Sequence, residues 1–324
     1  MRRVLAMTCC GVALGLVGAD TARADGGPVL PVEGGVGVGV RGSAVRYAAI
    51  GVRRTTIVAR VRRGSGAIER WRAIRGLYGV AAAAYDGSNT GLSADGRTLV
   101  LAGTTRRSPL RRTRLVVLDA RRLRVRARIT LPGLSTVDAL SPTGRWLYLI
   151  RYASARNPQR YEVRAYDLRA RRLLPRPVVD PREPDEAMLG VPITRTMSPD
   201  GRWAYTLYQR PPGELFVHAL DTERRTAACV DLPALRRGDP ADMRLVLTGA
   251  TLRVQNSAGP HALIDTRTFA VSTPPAARWH APRWAAPDAP ARDEGAGLPW
   301  GPAAIGALLL AALGAVGRRR RGVS

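Results

Sequence analysis

The sequence predicts an all-β protein, a β-propeller of five four-stranded blades, preceded by a signal peptide and followed by a transmembrane helix. Three features predict the propeller. A Ser-x-x-Gly-Arg turn motif occurs three times, an alternating apolar run follows each copy, and a second motif ending in Asp recurs with a similar period. A period of roughly 40–50 residues that carries four strands is the unit of a propeller blade.

The first motif predicts a tight turn in three blades. Its copies are Ser93–Arg97, Ser141–Arg145 and Ser198–Arg202. Glycine enters the left-handed conformation at little cost, and Ser and Asp oxygens accept hydrogen bonds from turn N–H groups. We therefore expect a structural role for the following residues: Ser93, Asp95, Gly96, Ser141, Gly144, Ser198, Asp200 and Gly201.

The runs around these turns are rich in Val, Leu, Tyr and Trp, as strands are. The second strands of the five blades are predicted to begin near Arg46, Thr98, Trp146, Trp203 and Thr251. Four later strands end in Asp, and two positions further come Arg121, Arg169, Glu223 and Arg267. We interpret the run Arg122–Arg128 as the charged, solvent-facing edge of a blade, which discourages edge-to-edge pairing.

These turns, each followed by a strand and a Leu-Asp-x-Arg turn, resemble the repeat of TolB-like and YVTN-type β-propellers over residues 35–273. The resemblance implies that the strand before each Ser motif is the innermost of its blade. On that scheme the inner strands cover residues 35–40, 79–85, 134–140, 191–197 and 243–247. Such propellers carry many activities, so the resemblance predicts a fold and leaves the function open.

The two ends predict export and a membrane anchor. Residues 1–24 have a basic start, an apolar core and a small-residue cleavage site, as signal peptides do, and residues 25–34 form a short lead. Residues 298–317 are apolar and uncharged and precede an Arg-rich tail at 318–324, which is typical of a transmembrane helix with a cytoplasmic end. Residues 274–297 read as a Pro/Ala-rich stalk. We therefore expect the propeller outside the plasma membrane.

The chain is strongly basic. Its 324 residues include 51 basic and 25 acidic ones, for a net charge of +26, and every basic residue is Arg. This composition excludes an acidic disordered protein and a polytopic membrane protein. A GC-rich genome and an acidic partner both explain the Arg excess, and both explanations stay open. Besides the membrane, we expect an anionic envelope polymer or a protein as partner. We expect no nucleic acid, because of the export signal and the lack of a base-stacking aromatic series.

The resemblance implies a ligand site at the axial opening on one face of the propeller, and by this analogy ligand-binding residues are predicted on the face formed by the loops after the second strands and after the outer strands. These loops carry Arg clusters and the acidic stretch 180–186. That stretch lacks the spacing of calcium loops, and we interpret it as a solvated turn paired with Arg. The candidates are Arg106, Arg107, Arg111, Arg112, Tyr152, Arg156, Arg160, Tyr161, Asp180, Glu183, Asp185, Glu186, Gln209, Arg210, Asn256 and His261.

No sequence motif for catalysis or for metal binding is found. Residues 37–42 match a dinucleotide fingerprint, but a strand follows where a helix is required, so we reject it. His218, His261 and His280 have no metal-ligand spacing, and Cys229 is interpreted as a small core residue. We predict no cofactor and no metal.

The leading hypothesis is a non-enzymatic binding module at the cell surface. The alternatives are a hydrolase of the lactonase type with its site at the axial opening, and a purely structural surface protein. A hydrolase needs several inward-facing acids or His residues from different blades, and the predicted inner strands and their ends offer Asp86, Asp138 and Arg195. The oligomeric state is not predicted.

Overall fold

The computed structural model describes residues 31, 37–104, 111–154, 159–234, 239–257 and 259–274. These residues form five antiparallel sheets and one short 3₁₀ helix, Pro240–Asp242. The prediction of an all-β fold with five blade-like sheets is therefore confirmed. The predicted signal peptide, transmembrane helix and Arg-rich tail lie outside the described residues. No described segment forms a helix that is long and apolar enough to cross a membrane.

The sheets follow one another along the chain, and we number the blades in that order. Blade 1 contains β1 (Val45–Val52), β2 (Thr55–Arg62) and β3 (Ile68–Arg75). Blade 2 contains β4 (Tyr78–Ala82), β5 (Asn89–Thr90), β6 (Thr98–Gly103), β7 (Arg112–Asp119) and β8 (Arg124–Pro132). Blade 3 contains β9 (Ser135–Leu140), β10 (Trp146–Tyr152), β11 (Tyr161–Asp167) and β12 (Arg172–Val178). Blade 4 contains β13 (Val191–Met197), β14 (Trp203–Arg210), β15 (Glu214–Asp221) and β16 (Thr226–Asp231). Blade 5 contains β17 (Arg244–Thr248), β18 (Thr251–Asn256), β19 (Gly259–Asp265) and β20 (Val271–Ser272).

Blades 1 and 2 depart from the predicted four strands. Of the predicted inner strand at residues 35–40, residues 37–40 are described, and they contribute one antiparallel bridge between Val38 and Tyr47. Blade 2 has an additional short strand, because β5 pairs with β4 on the inner side of the sheet. The other predicted inner strands correspond to β4, β9, β13 and β17, and every predicted second strand starts within one residue of the observed one.

The outer strands have residues that discourage further pairing. In β8, Arg124, Arg126 and Arg128 are exposed and alternate with half-buried residues. In β12, Pro175 and Pro177 are exposed. Proline cannot donate to a neighbouring strand and is confined to sheet edges, and charge on an edge opposes sheet extension.

Apolar clusters join successive blades. Val58 of blade 1 packs in one cluster with Leu99 of blade 2, and Tyr148 of blade 3 packs in another with Tyr208 of blade 4. Further clusters join blade 2 to blade 3 and blade 4 to blade 5. Each large side chain that is fully buried in these clusters contributes about 1.5–3 kcal/mol. Within the described residues, no such cluster joins blade 5 to blade 1.

The centre of the propeller is filled by the segment between β4 and β5. The N–H groups of Tyr85 and Asp86 donate to the carbonyls of Pro192 and Ile193 in blade 4, at 3.0 and 3.1 Å. The Thr90 hydroxyl donates to the Asp138 carbonyl of blade 3 at 3.0 Å. Blade 2 is thus hydrogen-bonded to blades 3 and 4 across the position where a wider propeller has its axial opening.

Candidate binding surfaces

Two opposite faces of the propeller carry its connections. The loop face contains the connections β1–β2, β3–β4 and their equivalents in the other blades. The turn face contains the connections from inner to second strands and from third to outer strands. The candidate ligand residues that the structure describes lie on or next to the loop face, whereas the Ser and Asp turn motifs lie on the turn face.

On the loop face, Arg210 is enclosed by three carboxylates at the junction of blades 3 and 4. It contacts Glu186 at 3.0 Å and both Glu214 and Asp231 at 2.9 Å. Its guanidinium also lies over the ring of Phe216, at 5.2 Å from the centroid. The charge of Arg210 is therefore satisfied within the protein.

Asp180 stabilises the same junction. Its carboxylate pairs with Arg182 at 2.6 Å and accepts the Cys229 N–H at 2.8 Å, which attaches the acidic stretch to β16. Burial alone would raise the pKa of Asp180, but the hydrogen bonds from Arg182 and Cys229 outweigh it and lower that pKa. Glu183, on the same connection, has a raised pKa because Glu186 lies beside it.

The structure brings part of the predicted loop-face set together. Arg160 forms an isolated antiparallel β-bridge with Leu189, and the Tyr161 N–H donates to the Met188 carbonyl. The ring centroids of Tyr152 and Tyr161 are 6.4 Å apart. These residues and Gln209 share the blade 3–4 junction with Asp180, Glu183, Asp185, Glu186 and Arg210.

The remaining candidates lie elsewhere. Arg111 and Arg112 lie at the start of β7 in blade 2, and Asn256 and His261 lie in blade 5, where the His261 ring contacts the Pro233 carbonyl at 2.8 Å. Arg106, Arg107 and Arg156 fall outside the described residues.

The three polar residues expected on the inner strands meet at the centre. The Arg195 guanidinium donates to the side-chain and backbone oxygens of Asp138 and to the Thr206 hydroxyl, and Asp86 accepts from Thr194 at 2.6 Å. The neighbouring His218 is buried, which lowers its pKa and keeps the ring neutral. Among the described residues, no group of three or more His, Cys, Asp or Glu is arranged to hold a metal ion.

On the turn face, the Ser motifs form three closely similar hairpin turns. Ser93 accepts the Thr98 N–H at 2.9 Å and donates to Asp95 at 2.6 Å, and Ser198 and Asp200 repeat these contacts in blade 4. Ser141 accepts the Trp146 N–H at 3.0 Å. Gly96, Gly144 and Gly201 have φ values of 65°, 70° and 73°.

The Asp motifs form a second set of turns on this face. Asp167, Asp221 and Asp265 each accept the N–H groups of the residues two and three positions later, at 2.8–3.0 Å. Asp119 accepts the Arg122 N–H at 2.9 Å. The fourth residue after each Asp has a positive φ: Leu123, Arg171, Arg225 and Phe269.

On the turn face, the Asp carboxylates are engaged by backbone N–H groups or by Arg202, Arg126 and Arg145. Several exposed arginines of this face form no ion pair with another described residue; they include Arg41, Arg63, Arg97, Arg121, Arg122, Arg169, Arg171, Arg224, Arg225 and Arg267. Because these positive charges are unpaired while the acids are engaged, the turn face presents a strongly positive surface.

A cleft of about 390 Å³ opens on this face between blades 1 and 2. Arg41, Arg60 and Arg121 line it together with Tyr47 and Asp95. Burial raises the pKa of the Tyr47 phenol although Arg60 and Arg121 oppose the shift, so the phenol is neutral and can donate a hydrogen bond. This cleft is large enough for a small anionic group.

The sequence analysis missed Arg41, Arg60 and Tyr47 as candidate residues and noted Arg121 for its place in the Asp motif. The available signal was in the turns themselves. Each Asp turn has an Asp that accepts N–H groups of its own backbone, followed by arginines that form no ion pair with a described residue, so the turn face carries an excess of positive charge.

No protein-family model and no curated protein sequence matches the chain. Among solved structures, it is similar to TolB from Acinetobacter baumannii, with 11% identity over 69% of this chain and 49% of that chain and a TM-score of 0.41. It is also similar to the Dos1 propeller, with 10% identity over 75% of this chain and 59% of that chain and a TM-score of 0.43. It is similar as well to BamB from Moraxella catarrhalis, with 16% identity over 72% of this chain and 61% of that chain and a TM-score of 0.40. The chain therefore spans about half to three-fifths of these structures. At such identities the likeness concerns the fold alone.

Proposed function

We propose that this protein is a non-enzymatic binding module that recognises a polyanionic partner of the cell envelope through its turn face. One observation carries the proposal. The turns engage their own carboxylates and leave a set of arginines exposed without ion pairs on one face. Guanidinium groups match carboxylate and phosphate oxygens in geometry and stay charged at any physiological pH.

The loop face also carries exposed arginines, among them Arg53, Arg54 and Arg75, but it contains the acidic stretch 180–186 as well, and Arg182 and Arg210 pair with carboxylates there. The filled centre also gives a hydrolase little support, because Asp138 is engaged by Arg195, and Asp86 accepts from Thr194. The predicted signal peptide and transmembrane helix would place the turn face among envelope polymers.

The test measures binding of the full-length chain to long-chain polyphosphate and to a sulfated polysaccharide over a range of salt concentrations. A triple variant, Arg169→Gln with Arg171→Gln and Arg267→Gln, removes exposed charge from the turn face. A matched triple variant, Arg53→Gln with Arg54→Gln and Arg75→Gln, removes the same charge from exposed positions of the loop face.

We expect affinity to fall steeply with salt and to weaken strongly in the turn-face variant, because counterion release scales with the number of arginines that contact the polymer. The loop-face variant should bind nearly as well as the parent. Equal losses in both variants, or no binding to any polyanion, would refute the proposal.

A further inference from the structure

The cleft between blades 1 and 2 is built differently from the rest of the turn face. Arg41 comes from the connection that precedes β1, Arg60 from β2, and Arg121 from the Asp turn of blade 2. Three arginines from separate segments thus line one concave volume of about 390 Å³.

The cleft has a net positive lining. Asp95 is the single acid among the described residues that line it, and its carboxylate already accepts from the Ser93 hydroxyl at 2.6 Å and the Arg97 N–H at 3.0 Å. One terminal nitrogen of Arg60 contacts Glu69 at 2.8 Å. Arg41 and Arg121 form no ion pair with a described residue, so their charge is available to a ligand.

Arg60 supplies a second, independent observation. Its Nε is buried and has no hydrogen-bond partner in the structure. A buried N–H without an acceptor is unfavourable, and more so when it belongs to a charged group. The neighbouring Tyr47 is also buried, with a neutral phenol. Arg60 and Tyr47 both line the cleft.

We propose that this cleft binds a phosphate-class oxyanion through Arg41, Arg60 and Arg121. Three converging guanidinium groups match a group with two negative charges and several acceptor oxygens better than a single carboxylate does. The inference rests on the proposed function, since the oxyanion would be a phosphate group of the polyanionic partner or the same group in free form.

The repeat supplies a matched control for the test. Arg121 and Arg169 both stand two residues after the Asp of their turn, and both are exposed, but Arg121 lines the cleft and Arg169 does not. Isothermal titration of the full-length chain with inorganic phosphate, glycerol 3-phosphate and long-chain polyphosphate, at constant ionic strength, compares the variants Arg121→Gln, Arg41→Gln and Arg169→Gln.

We expect Arg121→Gln and Arg41→Gln to weaken inorganic phosphate binding at least about tenfold, while Arg169→Gln changes it less than about twofold. Stronger binding of glycerol 3-phosphate than of phosphate would identify an esterified source. If Arg121→Gln and Arg169→Gln weaken the affinity for phosphate equally, while polyphosphate still binds through the turn face, the cleft is not the oxyanion site. The proposed function would then be unaffected. If the parent chain does not bind polyphosphate at all, both the cleft site and the proposed function are refuted.

Discussion

Arg195 of blade 4 donates to the side-chain and backbone oxygens of Asp138 in blade 3, at the centre of the propeller. The two side chains are 3% and 1% exposed. Arg195 also donates to the Thr206 hydroxyl at 2.8 Å, while Thr90 of blade 2 donates to the Asp138 carbonyl. This ion pair therefore holds three blades together where other propellers have a channel.

Replacing Arg195 with Met should destabilise the fold by about 3–5 kcal/mol, because Asp138 is then left charged and buried without a partner. The double variant Arg195→Met with Asp138→Leu should recover most of that loss, since a buried pair is often no more stable than an apolar substitute. Urea unfolding at neutral pH measures both. A single-variant cost below about 1 kcal/mol would show that the pair does not stabilise the centre.

The local part of the fold was predictable, because each turn encodes its own hydrogen bonds. Ser141 and Gly144 lie only a few residues apart, and the strands on either side alternate over short distances. The predicted starts of β6, β10, β14 and β18 therefore coincide with the observed ones. The filling of the centre was not predictable, because Tyr85 and Asp86 bond to Pro192 and Ile193, which lie far away in the sequence.

The candidate site shows the same division. The acidic stretch 180–186 led to the prediction of a site on the loop face. In the structure its carboxylates are already paired, Asp180 with Arg182 and Glu186 with Arg210. The cleft depends on how blades 1 and 2 pack, which brings Arg41 and Arg60 beside Arg121. No local spacing relates these three residues, so the pattern of the sequence could not bring them together.

Asp221 should make the fold sensitive to acid. Burial alone would raise the pKa of its carboxyl, but Arg202, at 2.6 Å, and the N–H groups of Glu223 and Arg224 lower it below 3.8. The folded state therefore keeps this group ionised at a pH where the unfolded chain binds a proton. Its stabilising contribution is complete well above pH 3.8 and is lost as the pH falls below that value.

Asp221→Asn should accordingly be less stable than the parent at neutral pH and should lose less stability on acidification. Thermal unfolding from pH 7 to pH 3 measures the difference between the two. Asp185→Asn, at an exposed position of the loop face, removes the same charge and serves as the control. Identical pH profiles for the parent and Asp221→Asn would contradict the assignment.

Replacing Arg171 with glycine should maintain or increase the stability of the fold. Arg171 follows Asp167 by four residues, is exposed, and has a φ of 54°, a conformation that costs a non-glycine residue roughly 1 kcal/mol. Arg171→Gly should therefore leave stability unchanged or raise it by up to about 1 kcal/mol, after allowance for the greater freedom of glycine in the unfolded chain. Arg172→Gly, one residue further and at the start of β12, should lower stability by up to about 0.5–1 kcal/mol. Chemical unfolding compares them, and equal losses would argue against strain at residue 171.

Cys229 should be unreactive in the folded protein. It lies in β16, where its N–H is held by Asp180 and its carbonyl by Arg182, and burial together with the nearby Glu186 raises the pKa of its thiol far above neutrality. Because the thiolate is the nucleophile, alkylation should be slow at pH 7.5 and become fast in urea. The measurement uses a chain with Cys9→Ser and Cys10→Ser, so that Cys229 is the single thiol. Arg182→Ala weakens the contact between the acidic stretch and β16 and should speed the reaction. Rapid alkylation of the folded parent would mean that the acidic stretch separates readily from β16. The contacts of Asp180 and Arg182 would then not protect the Cys229 thiol.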